Sequence, residues 1–144
     1  CPLADDGLSR LGTLLDDRLA AQPEARGDLE RLLGRWFGML GTERGGPLVL
    51  VFFGVTGTGK TMSAGLVAEA LLEGREAAHG AKHGAPRGFL ELEGSMFGSG
   101  EDVGRMRQAV VQHGRECGRG GVILVDEAQK VPLPTLDRVL SLLF

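Results

Sequence analysis

Leucines at positions 8, 11, 15 and 19 keep the three-and-four spacing of one helix face, and with Asp5, Asp6 and Ser9 as start signals they predict a short amphipathic helix over 8–19. Pro23 stands where a first helical residue would, and Leu29, Leu32, Leu33, Trp36, Phe37 and Leu40 repeat the spacing, so a second helix is expected over 22–40 with its aromatic stripe in the core. Gly45, Gly46 and Pro47 then lead into the run 48–53, apolar at all six positions, which is the pattern of a strand covered on both faces. Met62, Leu66, Val67 and Ala70 mark the buried face of a helix over 59–72. Residues 73–88 have no period and read as a surface loop. A short strand follows over 89–92, then a loop over 94–100, then a helix over 101–117 on the spacing of Val103, Met106, Val110 and Cys117. Gly120 and Gly121 break that helix and release the β-branched run 122–125. After Pro132 and Pro134, Leu136, Val139, Leu140 and Leu143 continue as an amphipathic helix.

Strands alternating with helices place the chain in the α/β class. Its 144 residues suffice for one core, a whole domain or part of one. The longest apolar runs are far too short to cross a bilayer. A formal charge of −3 gives no bulk attraction to nucleic acid, and the cluster Arg105, Arg107, Arg115 and Arg119 reads as a solvated helix face. Cys1 and Cys117 form neither a C-x-x-C pair nor a metal spacing, and they leave the redox compartment open. His79 and His83, four apart among glycines without an acidic neighbour, do not make a zinc site.

The chemistry is concentrated at two points. Gly54, Gly59, Lys60 and Thr61 complete G-x-x-x-x-G-K-T directly after the run 48–53 and at a helix start. Glycines let the backbone wrap a phosphate, so that Gly54, Val55, Thr56, Gly57, Thr58, Gly59, Lys60, Thr61 and Met62 form the expected nucleotide cradle. Lys60 supplies a point charge for the terminal phosphates, and the Thr61 hydroxyl a ligand for Mg²⁺. The second point is Asp126-Glu127 at the end of the run 122–125. Asp126 is the expected second Mg²⁺ ligand and Glu127 the carboxylate that orients or deprotonates an attacking water. Such a base suits a hydrolase, whereas a small-molecule kinase must exclude water.

The stretches VFFGVTGTGKT and VILVDEAQK resemble the Walker A and Walker B motifs of AAA+ ATPases, and the order of parts is most similar to the Clp-type and torsin branch. The resemblance implies a P-loop NTPase three-layer sandwich with a mostly parallel sheet, here incomplete, with a helical lead at 1–46 and a partial ATPase core at 47–144. It implies ATP and Mg²⁺ as cofactors and hydrolysis to ADP and phosphate. Protein substrates are expected, with a homo-oligomeric ring or an activator completing the site; a replication-loader type acting on nucleic acid is the alternative. In the family's strand order, 5-1-4-3-2, the strand between 48–53 and 122–125 comes after Phe144, as do the arginine finger, both sensors and the lid. An open sheet with unpaired apolar edges is therefore expected. Thr61 stands where torsins usually carry Asn. Phe97-Gly98 lies where Clp-type proteins carry a peptide-gripping loop, and reads rather as a buried loop anchor.

Overall fold

The computed structural model describes residues 1, 3–18, 22–40, 42, 46–55, 57–72 and 88–144, the Arg119 side chain excepted. The expected loop 73–88, apart from Gly88, lies outside the described residues, as do Leu19, Gly45, Thr56, His79 and His83. The structure divides into two compact units, Leu3–Gly74 and Cys1–Pro2 with Arg75–Phe144, each with its own apolar core.

In the first unit the leucine spacing produces α1 (Gly7–Arg18) and α2 (Pro23–Met39), with α3 (Lys60–Leu71) completing a three-helix arrangement. Leu11 and Leu15 of α1, Leu29 and Leu33 of α2, and Leu66, Val67, Ala70 and Leu71 of α3 form one cluster. The chain start is pinned to the end of α3: Leu3 bridges Leu72 antiparallel, and the Ala4 N–H donates to the Leu71 carbonyl at 2.8 Å. Gly7 allows the close approach there, since a β-carbon would lie 3.2 Å from the Ala70 carbonyl oxygen. Trp36 meets Phe37 edge-on at 5.5 Å, and its indole N–H donates to the Gly46 carbonyl at 2.8 Å, tying the end of α2 to the chain that enters 48–53.

Two expectations for this unit are corrected. The run 48–53 forms no strand: Leu48, Leu50 and Phe52 pack half-buried on the helical core, while Val49, Val51 and Phe53 are exposed, Phe53 at 90%. The apolar run supplies the wish for burial, but a strand also needs a neighbour's N–H and C=O groups, and no described segment supplies a ladder to it. Met62, assigned to the buried face of its helix, is instead 52% exposed on the first turn, where α3 has yet to enter the core.

In the second unit β1 (Phe89–Glu93) and β2 (Val122–Asp126) pair in parallel, from Phe89 opposite Val122 to Glu93 opposite Asp126. The crossover between them is α4 (Val103–Cys117), as a parallel pair requires. With α5 (Leu133–Leu140) these elements enclose Leu92, Phe97, Met106, Val110, Val131 and Val139. The entry to α4 is a capping box: the Ser99 N–H donates to Asp102 Oδ2 at 3.1 Å, and Ser99 Oγ accepts from the Glu101 N–H. Arg105 donates to Asp102 Oδ1 at 2.6 Å, and together with the Ser99 N–H it holds the Asp102 carboxyl below the usual carboxylate value. The sulfurs of Cys1 and Cys117 are bonded to each other, a pairing that their spacing did not announce. Mixed helices with a small parallel sheet make this an α/β fold, as the alternation of elements predicts. Among the described residues no helix is long and apolar enough to cross a membrane.

Candidate nucleotide site

The glycine-rich turn belongs to the first unit. Its three described glycines before α3 all take positive φ, +152° at Gly54, +83° at Gly57 and +85° at Gly59, a region that residues with a β-carbon rarely enter. Gly59 is the residue on which α3 starts, so the positive end of the helix dipole lies at the loop. At Gly54 a β-carbon would also meet Thr58 Oγ1 at 2.9 Å, and that hydroxyl donates to the Val55 carbonyl at 2.8 Å. Lys60 folds back over the turn. Its ammonium donates to the carbonyls of Gly54 and Val55, both at 2.7 Å, so the charge expected at the phosphates rests on the loop's own backbone. Thr61 and Met62 are exposed on the same turn, and Ser63 behind them is buried, its hydroxyl donating to the Gly59 carbonyl at 2.8 Å.

Beside this turn lies a cavity of about 240 Å³ within the first unit, lined by Phe52, Gly54, Thr58 and Lys60 on one side and by Gln22, Ala25 and Leu29 of the α2 start on the other. The α2 contribution was not foreseen. Leu29 was read as core, which it also is, and nothing in the spacing of a glutamine and an alanine marks them as lining a cleft.

The acidic pair belongs to the second unit. Asp126 ends β2 half-buried, and its Oδ1 accepts from the Glu127 N–H at 2.9 Å. Glu127 is exposed and lies at φ +51°, ψ +40°, the one described non-glycine residue in the left-handed region. Its carbonyl accepts from the Lys130 N–H at 2.9 Å, and its carboxylate Oε2 accepts from the Gln129 amide at 2.6 Å with the Lys130 ammonium 3.6 Å away. Gly94, at the end of β1, makes room for this turn: a β-carbon there would overlap the Glu127 carbonyl oxygen and lie 2.8 Å from that of Asp126.

The donor set suits a nucleotide-bridging Mg²⁺ rather than an all-protein metal cage. Among the described residues no three His, Cys, Asp or Glu side chains gather as metal ligands, and Mg²⁺ bound through phosphates needs only one or two protein oxygens.

A family model described as an AAA domain matches residues 43–144, a span that contains both the glycine-rich turn and the acidic pair. The chain belongs to the AAA domain family. No curated protein and no solved structure matches it. Membership in the AAA domain family places the chain in the AAA-like P-loop ATPase superfamily. Two further residues of this AAA domain are placed by the coordinates. Phe97, the residue a peptide-gripping loop would expose, is 7% exposed in the second core, as the loop-anchor reading expects. Arg105 of the basic cluster is committed to its own unit, bonded to Asp102 and the Met96 carbonyl, with its guanidinium carbon 5.4 Å from the Phe97 ring centre.

Proposed function

We propose that this AAA domain binds Mg²⁺–ATP at residues 54–62, hydrolyses it to ADP and phosphate, and belongs to a torsin-like or Clp-like remodelling ATPase acting on protein, working as a ring or an activator-completed assembly. In this reading the stretch 1–46 is a helical lead into the ATPase core at 47–144. The observation that carries the proposal is the P-loop itself. Its glycines are already in positive φ, and its lysine sits over the mouth of the turn.

On nucleotide entry Lys60 exchanges two neutral carbonyls for phosphate oxygens, a stronger, charge-assisted partner. The backbone N–H groups of the first α3 turn donate to the same anion. Thr61 and Asp126 would hold Mg²⁺, which would neutralise charge on the phosphates. Glu127 accepts the proton of the attacking water. Protein is favoured over nucleic acid by the net charge of −3 and by the internal engagement of Arg105. Burial of Phe97 favours the torsin-like form, which needs no gripping loop there.

Equilibrium binding and phosphate release test this together. Lys60→Ala is expected to weaken ATP at least tenfold, and Glu127→Gln to keep ATP bound while turnover falls to a small residual rate. Wild-type affinity in Lys60→Ala would leave a non-enzymatic module. DNA affinity that falls with salt and is lost on changing Arg105 and Arg107 would move the same core to the nucleic-acid class.

A further inference from the structure

The carboxylate read above as the base is not left to solvent. We propose that Gln129 is a positioning residue for turnover, holding the Glu127 carboxylate through Oε2 so that Oε1 is presented to water; this rests on the reading of Glu127 as the base.

Three observations converge on it. A non-glycine residue at φ +51° persists only where its surroundings over-determine it. Here the backbone is fixed from both sides: the Glu127 N–H is held by Asp126 Oδ1, its carbonyl by the Lys130 N–H, and Gly94 is packed against that carbonyl without room for a side chain. The turn therefore sets where the Glu127 Cα–Cβ bond points, leaving the side-chain torsions as the remaining freedom. Those torsions are what Gln129 restrains. Its amide donates at 2.6 Å to one carboxylate oxygen only, and the Lys130 ammonium, 3.6 Å from that same Oε2, is too distant to hydrogen-bond well. Both partners thus use the same edge of the carboxylate. All three side chains are exposed, so the restraint is worth little to folding while it narrows the orientations of the reacting group.

The test is a double-mutant cycle on the full chain, reading kcat, KM and nucleotide Kd. Gln129→Met keeps the side chain's size and removes the donor. It is expected to lower kcat five- to tenfold, with Kd within twofold of wild type and the thermal midpoint unmoved. On the Glu127→Gln background it is expected to change the residual rate by less than twofold, because its effect passes through Glu127. If Gln129→Met turns over at the wild-type rate while Glu127→Gln falls to its residual rate, the positioning role is wrong and the base survives. A loss of the same size on both backgrounds, or a parallel loss of affinity, overturns the positioning role in favour of a structural one. If Glu127→Gln hydrolyses normally, the base assignment falls and this inference with it.

Discussion

Gly94 and Glu127 constrain each other across the end of the small sheet, since the first has no space for a β-carbon and the second occupies a backbone region that non-glycine residues seldom hold. Gly94→Ala must push the Asp126–Glu127 carbonyls away, and urea unfolding is expected to show a loss of roughly 2 kcal/mol, typical of overpacking against backbone. Gly54→Ala meets both a positive φ and Thr58, so ATP affinity is expected to fall at least tenfold while the core stays folded. His113 gives a pH signature. Burial chiefly depresses its imidazole below the ordinary value, against smaller opposing contributions from Glu116 and the Gly88 backbone. Its Nε2 is buried without a hydrogen-bond partner among the described residues, close to Gly121. The unfolded chain therefore binds a proton that the folded one refuses. The associated stability is complete above the ordinary imidazole value near 6.5 and is lost as the pH falls toward the folded value. The thermal midpoint is expected to drop by a few degrees between pH 7.5 and 5.5, and His113→Gln to flatten that slope. At this scale the sequence told which residue types matter in the P-loop, because glycines and a lysine at fixed spacing have few other uses. It could not show the left-handed Glu127, since only a third segment, bringing Gly94 against it, holds that conformation.

Helices were legible because their faces are local: the leucine spacing in α1 and α2 is satisfied by Leu11, Leu15, Leu29 and Leu33, all buried. Leu33→Ala is expected to cost about 2–5 kcal/mol in chemical denaturation of the chain, the usual cost of deleting a leucine side chain from a closed core. The run 48–53 was misread as a paired strand because pairing is a property of two segments, and hydrophobicity in one carries no information about the other. What the run did carry is half-satisfied, with Leu48, Leu50 and Phe52 packed and the alternate row exposed. A row of exposed apolar side chains invites association. Sedimentation is expected to show concentration-dependent self-association that Val51→Lys with Phe53→Ser suppresses without lowering the thermal midpoint. A monomeric wild-type chain at all concentrations would refute it.

For the molecule as a whole, the division into two cores was not visible in a sequence that alternates helix and strand throughout. The glycine-rich turn shares its core with α1 and α2, and the acidic pair shares another with α4 and α5. The family match spans both, which is why motif spacing announced the superfamily while saying little of the packing. Cys1 and Cys117 carried no signal because a pair of cysteines 116 positions apart has no motif to betray it. That covalent tie has a mechanical side. Tension applied at the amino end of this chain reaches α4 through a single bond, bypassing the intervening polypeptide, so a motor hauling from that end would be tugging on the crossover helix before α1 felt any load.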